Sequence, residues 1–227
     1  MPSFDIVKSS VVPKSFRTEF VRGQFDLQIG NTVEEKFSGN IDLPEEWSIG
    51  VICGASGTGK TTVAKELFAD EYIIEPNYGN LPVIDEMPKD IDAATICKMF
   101  NSVGFGTCWS WLKPYHVLSE GEKMRVNLAN ALLKNEEVIV FDEYTSTINR
   151  EVAKVSSHAV AKSIRRTDKK FVAVTCHDDI VDWLEPDWIF DTNKMSFFLP
   201  KNEGQKLNLK YLKQQVNLGT FLKSITI

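Results

Sequence analysis

Apolar residues along this chain follow two spacings, and their order predicts strands that alternate with helices. Continuous apolar runs, typical of parallel strands buried on both faces, occur at 49–53, 138–141, 171–175 and 188–190. Helical spacing occurs at 61–68, 91–103, 119–134 and 150–166. This alternation predicts an α/β fold with a mostly parallel sheet flanked by helices, completed by a hairpin return through 195–199.

The first 48 residues predict an antiparallel β-subdomain. Partial alternation of apolar and polar residues predicts strands at 16–22 and 24–29, and another short strand at 37–43. One more strand is predicted at 72–76. Phe25 and Phe37 are candidates to stack on an adenine ring, although core packing is the commoner role of a strand phenylalanine.

One eight-residue segment carries the clearest chemical signal. Residues 54–61 read Gly-Ala-Ser-Gly-Thr-Gly-Lys-Thr and match G-x-x-x-x-G-K-[ST] at every fixed position. Lying between a strand and a helix, they aim backbone N–H groups and a helix dipole at one point, which suits a polyphosphate. Lys60 is expected at the β- and γ-phosphates, and the Thr61 hydroxyl is expected to bind Mg²⁺. The expected phosphate contacts are Gly54, Ser56, Gly57, Thr58, Gly59, Lys60, Thr61 and Thr62.

Polar residues follow two of the predicted central strands. In an open parallel sheet, ligands bind beyond the carboxyl ends of the strands. Asp142 ends one strand and is expected to hold Mg²⁺, and Glu143 beside it, on the opposite side of the pleat, to orient or deprotonate the attacking water. His177 ends another strand, and its imidazole is expected to hydrogen-bond a γ-phosphate.

Composition narrows the class of protein. The chain has 227 residues, of which 43% are hydrophobic and 25% charged, as in a soluble globular domain. No apolar run reaches the roughly 18 residues that span a bilayer, and the first residues lack a basic and apolar leader, so we expect a cytoplasmic protein without direct membrane insertion. Its four cysteines form no C-x-x-C pair and are expected to be reduced structural thiols.

Charge is unevenly spread along the chain. From Lys194 onward there are six lysines against Glu203 alone, a charge of +5, so the net charge of −5 leaves −10 for residues 1–193. The basic segment is a candidate to bind nucleic acid or an acidic partner, although a solvated helix face is the commoner origin of such a pattern.

Taken in order, the motifs resemble those of the ABC-type ATPase family. Residues 54–61 resemble its Walker A motif, 118–122 its signature, 138–143 its Walker B motif, 145–146 part of its D-loop, and His177 its H-loop. The resemblance covers residues 16–200 and implies a P-loop NTPase fold that binds ATP and Mg²⁺. Two domains of this family close head to tail on ATP. That implies a homodimer in which Ser119 and the Gly121 backbone contact the γ-phosphate held by the other copy.

Other features depart from the transporter members of that family. The signature has Glu120 where transporters usually have glycine, and its Glu122-Lys123 pair is similar to SMC-type ATPases. Lys60 and Leu118 are only 58 positions apart (118 − 60), which implies an abbreviated helical subdomain.

Two expected family residues have no match. No glutamine lies between Gln28 and Gln205, so the Q-loop glutamine is absent, and Asn149 stands at the position of the D-loop aspartate. Together with the short helical region, these departures indicate a soluble, non-transporter member.

The whole chain, 1–227, is expected to form one such ATPase domain. Its predicted parts are a β-subdomain at 1–48, an α/β core at 49–75 and 135–200, a helical and signature subdomain at 76–134, and the basic segment at 201–227.

The function expected from these features is Mg²⁺-dependent ATP hydrolysis that drives work on a macromolecular partner, with nucleic acid as one candidate. One alternative is the nucleotide-binding subunit of an ABC membrane transporter, which the missing glutamine and short helical region argue against. A second alternative is a P-loop kinase, which leaves 119–122 and His177 without a role.

Overall fold

A computed structural model of the chain describes residues 3–28, 30, 32–69 and 77–200. They form two compact units, one that ends at Asp42 and one that begins at Leu43. The predicted strand at 72–76 and the basic segment at 201–227 lie outside the described residues. The helices and strands, in chain order, are β1 (Ser3–Val11), α1 (Phe16–Gln24), β2 (Thr32–Asn40), β3 (Ile49–Cys53), α2 (Lys60–Leu67), α3 (Ala93–Ser102), α4 (Cys108–Trp111), a 3₁₀ turn (Tyr115–Val117), α5 (Glu120–Leu133), β4 (Val138–Phe141), α6 (Arg150–Ile164), β5 (Lys170–Thr175), α7 (Ile180–Leu184), β6 (Trp188–Asp191) and β7 (Ser196–Phe198).

The first unit is a two-stranded antiparallel sheet with a helix between its strands. β1 pairs with β2 from Ser3 opposite Asn40 to Val11 opposite Thr32. Ahead of α1, Thr18 N donates to Ser15 Oγ at 3.2 Å, and Ser15 N donates to Thr18 Oγ1 at 2.9 Å. This reciprocal exchange is a capping box, which satisfies two backbone donors at the start of a helix.

The predicted strands at 16–22 and 24–29 are wrong: α1 occupies 16–24, and residues 25–28 that follow it belong to no strand. Phe16, Phe20 and Val21 recur at i, i+4 and i+5, which is helical spacing, and the capping exchange at Ser15 starts the helix. The strand predicted at 37–43 overlaps the end of β2. Phe37 is buried, whereas Phe25, just after α1, is 67% exposed.

The second unit is built on a five-stranded sheet with the order β4-β5-β3-β6-β7. Four strands are parallel, and β7 returns antiparallel to β6. Every residue of β3 is buried, as are five of the six in β5. The mostly parallel sheet and the hairpin return predicted from the sequence are therefore confirmed, and the predicted central strands agree to within one residue at each end.

Helices cover this sheet and bring the signature segment beside α6. α2 contacts β3 and β5, α5 contacts β4, and α3 contacts α5 and α6. The four predicted helices of this unit agree with α2, α3, α5 and α6 to within two residues at each end. Within the described part of the chain, no helix is both long and apolar enough to cross a membrane.

The ring of Trp188 fills the space that a side chain at position 50 would occupy. Gly50 lies opposite Trp188 in the pairing of β3 with β6. A Cβ on Gly50 would lie 2.0 Å from the Trp188 ring, which is fully buried. The central strand therefore accepts only glycine here without displacing the ring.

We predict that Gly50→Ala lowers the free energy of unfolding by about 1–3 kcal/mol, because a methyl group forced into a packed core must displace its neighbours. Urea unfolding followed by tryptophan fluorescence measures the change. The matched control is Gly30→Ala, since a Cβ on Gly30 has nothing within 4 Å. Equal stability of the two variants would contradict the close approach of Trp188.

Candidate functional site

Glycines shape the loop between β3 and α2. Gly57 and Gly59 have φ of 81° and 85°, in the left-handed region that glycine adopts at little cost. A Cβ on Gly54 would lie 2.1 Å from Thr192 Oγ1, so the loop passes too close to the β6–β7 turn for a side chain. Ser56 and Gly57 are exposed at the tip of the loop.

The N-terminus of α2 faces this loop without a side-chain cap. Gly59 is the N-cap residue and contributes no side chain, and Thr62 lies in the first turn of the helix. The first four N–H groups of any helix have no partner inside it, and together with the dipole they attract an anion. This end of α2 therefore has the form of a phosphate-binding site.

Lys60 lies folded against the same loop. It is 7% exposed, and its ammonium donates to the Ala55 carbonyl at 2.8 Å. A phosphate oxygen can replace this neutral acceptor with a gain, because charge-assisted hydrogen bonds are about twice as strong as neutral ones. Lys60 is thus held beside the position at which the loop would bind a phosphate.

Thr61 and Asp142 come from different parts of the chain and meet at the loop. The Thr61 hydroxyl donates to Asp142 Oδ2 at 2.7 Å. Asp142 follows β4, which β5 separates from β3 in the sheet. Two oxygen ligands this close suit a hard cation such as Mg²⁺, which is usually bound by one or two carboxylates together with substrate phosphates.

Glu143 lies in a tight turn rather than in the strand. β4 ends at Phe141, and Glu143 has φ of 49°, which is uncommon for a residue other than glycine. Its N–H donates to Asp142 Oδ1 at 2.8 Å, and its side chain is exposed. The expectation that it sits across the pleat from Asp142 is therefore wrong: the turn, not the pleat, sets its direction.

Tyr144 ties that turn to the end of β5. Its N–H donates to the Val174 carbonyl at 2.8 Å, and its own carbonyl accepts from Thr175 Oγ1 at 3.0 Å. The ring is buried, and its hydroxyl donates to Ser157 Oγ at 3.1 Å. Burial raises the pKa of Tyr144, so the hydroxyl stays protonated.

His177 follows β5 and is half-buried. The backbone N–H of His177 donates to Thr175 Oγ1 at 3.1 Å. Burial and the nearby Arg150 lower the pKa of His177, while Asp179, Asp178 and Glu143 oppose the shift. At neutral pH the imidazole is therefore uncharged, with one nitrogen able to donate and the other to accept.

Ser119 caps α5 at an exposed position. Its N–H and its hydroxyl both donate to Glu122 Oε2, at 3.0 and 2.9 Å. A hydrogen bond from Ser110 and the two from Ser119 lower the pKa of Glu122. Glu120 pairs instead with Lys123 at 2.8 Å. Glu120 is thus engaged within its own helix, whereas Glu122 is engaged by Ser119 and by Ser110 of α4.

Gly121 lies against the start of α6. A Cβ on Gly121 would lie 3.4 Å from Val152 Cγ1 and 3.7 Å from Ile148 Cγ2. One turn further on, Arg125 donates to Ser156 Oγ at 3.2 Å. The signature segment therefore packs beside the loop that precedes α6.

The β6–β7 turn supports the glycine loop, and the sequence motifs did not reveal it. Thr192 Oγ1 lies 2.6 Å from Thr58 Oγ1, and Asn193 Oδ1 accepts from Ala55 N at 3.0 Å. Asn193 is held in turn by the buried Asp191, whose Oδ1 accepts from its N–H and its side-chain amide. The polar run Asp-Thr-Asn directly after a buried strand was the available signal.

Arg150 is a second residue that the motifs did not identify. It begins α6 and its guanidinium binds Asp179, two residues beyond His177. An arginine after a D-loop and a pair of aspartates after a histidine are common on surfaces, so the sequence alone does not connect them.

The predicted residues thus form two groups. Lys60, Thr61 and Asp142 are linked by hydrogen bonds within or to the glycine loop, with Glu143 and His177 on segments that Tyr144 and Thr175 join. Ser119 and Gly121 belong to a separate group beside α6.

One curated protein resembles part of the chain. No family model matches the chain. A 69-residue segment is 36% identical to an uncharacterized ABC transporter ATP-binding protein, y4gM, of Sinorhizobium fredii, and it covers 28% of this chain and 12% of that protein's length.

Solved structures show the same fold over more of the chain. The chain is similar to cbiO1 from Clostridium perfringens, part of the ABC transporter complex cbiONQ, with a TM-score of 0.57, 16% identity, and 83% and 87% of the two chains covered. It is also similar to MJ0796, a bacterial ABC transporter cassette solved as a dimer, with a TM-score of 0.52, 14% identity, and 69% and 87% covered. In fold and in the order of its motifs the chain is thus similar to ATP-binding cassettes, and its fold is that of a P-loop NTPase.

Proposed function

We propose that this chain binds and hydrolyses ATP with Mg²⁺, as a homodimer in which each ATP lies between two copies. The observation that carries the proposal is the 2.7 Å contact of Thr61 Oγ1 with Asp142 Oδ2, directly beside an uncapped helix N-terminus. A metal-binding oxygen pair next to an anion site is the combination that a metal–nucleoside triphosphate requires.

Within one copy, the chain's own residues bind the triphosphate. The amides of 57–62 hold the β- and γ-phosphate oxygens, and Lys60 exchanges its hydrogen bond with the Ala55 carbonyl for one with phosphate. Thr61 and Asp142 would hold Mg²⁺, which neutralises charge on the phosphate oxygens when bound.

Glu143 and His177 act on the reacting end of the triphosphate. Glu143 accepts a proton from the attacking water as the water oxygen bonds to the γ-phosphorus and the bond to the bridging oxygen of ADP breaks. The uncharged His177 donates a hydrogen bond to a γ-phosphate oxygen. Its lowered pKa leaves its other ring nitrogen unprotonated. The exposure of Glu143 supports access of water to it.

A second copy completes the site. Ser119 is exposed and tops the 14-residue helix α5, whose free N–H groups and dipole favour an anion. We propose that Ser119 and the Gly121 backbone contact the γ-phosphate bound by the other copy, so that one two-fold dimer holds two ATP molecules. The Ser119 hydroxyl then exchanges its bond with Glu122 for one with phosphate.

The work that this ATPase drives is proposed to be done on a macromolecular partner, in a cytoplasmic, non-transporter setting. Two features of the sequence support this proposal: few positions separate Lys60 from Leu118, and no glutamine lies between Gln28 and Gln205. Nucleic acid is the candidate partner for the lysines after Lys194.

A second candidate function is that of a transporter's nucleotide-binding subunit. It is favoured because cbiO1 is part of an ABC transporter complex and MJ0796 is an ABC transporter cassette. Exposed apolar side chains in the segment around α4 also suit a protein contact: Leu81, Trp109, Leu112 and Val117.

The two partners are distinguished by purification and by stimulation of turnover. Stimulation of phosphate release by DNA or RNA, lost when the lysines after Lys194 are changed to glutamine, supports the nucleic-acid partner. Co-purification with a membrane protein from detergent extracts, with no response to DNA or RNA, supports the transporter subunit.

We predict that Glu143→Gln binds ATP with unchanged affinity but hydrolyses it at least about a hundredfold more slowly, because the proton acceptor is lost while the phosphate contacts remain. The ATP-bound dimer should therefore accumulate and elute at twice the monomer mass on size exclusion. Release of free phosphate, rather than transfer of labelled phosphate to an acceptor, separates an ATPase from a kinase.

The control for this experiment is Glu151→Gln, the same change at an exposed position in the first turn of α6. It should turn over like the wild type and show no trapped dimer. A monomeric Glu143→Gln protein in saturating ATP would count against the shared site.

We predict that Ser119→Arg abolishes hydrolysis and leaves ATP affinity within about twofold, because a bulky cation replaces a phosphate contact that the other copy needs. Fluorescent-nucleotide binding and phosphate release measure the two quantities.

The control Asp92→Arg separates the effect of losing a helix cap from the effect of losing the phosphate contact of Ser119. Asp92 caps α3 by accepting from Ala94 N and Thr95 N, and losing this cap costs about 1 kcal/mol of stability. This variant should keep full turnover. Unchanged turnover in Ser119→Arg would remove the role of Ser119 in the second copy.

A further inference from the structure

Arg150 joins two loops that carry reacting groups. It is the first residue of α6. Its Nε donates to Asp179 Oδ2 at 2.9 Å and its Nη2 donates to Asp179 Oδ1, which is the bidentate geometry of arginine with a carboxylate. Asp179 lies two residues beyond His177.

The same guanidinium reaches back to the Walker B side. Nη1 donates to Thr145 Oγ1 at 3.3 Å and to the Thr145 carbonyl at 3.5 Å. Thr145 lies two residues beyond Glu143, is buried, and has φ of 64°. A β-branched residue in this region is an outlier that persists only where its surroundings hold it.

An aromatic ring fixes the plane of the guanidinium. Arg150 lies 4.9 Å from the centroid of the Trp183 ring on α7. α6 and α7 also pack against each other. Among the described residues, Arg150 is anchored by Thr145, Asp179 and Trp183, and its hydrogen bonds go to the two loops rather than to the phosphate site.

We propose that Arg150 is a positioning residue that holds the Glu143 turn and the His177 loop at a fixed separation, so that both groups meet the γ-phosphate together. The inference rests on the hydrolysis proposed above. Arg150 touches neither substrate nor metal in this account, so its effect appears in turnover and not in ATP binding.

The charges around His177 provide a test that separates position from electrostatics. The groups that act on the imidazole are Arg150, Asp178, Asp179 and Glu143. Arg150 lowers the pKa of His177, whereas Asp179 raises it. Removing either residue breaks the same Arg150–Asp179 ion pair, yet the two removals move the pKa of His177 in opposite directions.

The experiment compares Arg150→Gln, Asp179→Asn and the double variant in the full-length chain. If Arg150 positions the loops, kcat falls about tenfold or more in each single variant while the Kd for ATP changes less than about twofold. The double variant falls no further than the singles by more than about twofold, because both changes remove one interaction.

The matched control is Arg166→Gln. Arg166 is exposed just beyond the C-terminal end of α6, so this variant loses the same charge at the other end of the helix. It should keep the turnover of the wild type.

NMR titration of the histidines without nucleotide gives the second readout. The chain has three histidines, and His177→Gln assigns the signal of interest. We expect the pKa of His177 to rise in Arg150→Gln and to fall in Asp179→Asn. Loss of turnover in both variants despite these opposite shifts supports positioning.

Three results would overturn the proposal. The first is that Arg150→Gln turns over as fast as Arg166→Gln. The second is that only one of Arg150→Gln and Asp179→Asn loses turnover, in line with the direction of its His177 pKa shift. The third is that ATP binding is lost together with turnover. The titration also separates this inference from the function it rests on. If the wild type releases no phosphate while the His177 pKa shifts as expected, the proposed hydrolysis fails, whereas the placement of Arg150 and Asp179 beside His177 is upheld.

Discussion

The hydrogen bond between Thr61 and Asp142 is the contact on which the whole site depends. It joins the first turn of α2 to the end of β4, across the strand β5 that separates β4 from β3. Both oxygens would be costly to bury apart from a partner, so their meeting fixes the distance between the glycine loop and the carboxylate that follows β4. Every further element of the site, from the Glu143 turn to the His177 loop, is placed relative to this pair.

The glycine loop is supported by residues of the β6–β7 turn that are given no contact with phosphate: Thr192 and Asn193 hold Thr58 and Ala55. Elsewhere in the same unit, α6 bonds to the signature helix through Ser156 and to the Walker B turn through the Tyr144–Ser157 hydrogen bond. α6 therefore has hydrogen bonds both to the signature helix and to the turn that contains Glu143.

Much of this could be read from the sequence, because buried parallel strands and a phosphate loop leave strong local patterns. The strand at 138–141 was evident from four consecutive apolar residues, and the cap at Ser119 from the glutamate three positions later. The helix at Phe16 was missed, since the spacing of its apolar residues was mistaken for a strand although Ser15 and Thr18 signal a cap. Arg150 and Asn193 were missed for another reason: their partners lie 29 and 138 positions away, and only the fold brings them together.

We propose that each ATP is held by the glycine loop of one copy and closed by the Ser119 helix of another. Mixing two inactive proteins, Lys60→Ala and Ser119→Arg, tests it most directly, because a mixed dimer contains one site in which both halves are intact. With random pairing and independent sites, phosphate release should return to about a quarter of the wild-type rate in an equal mixture. A mixture as inactive as either protein alone, with mixed dimers shown to form, would contradict the shared site.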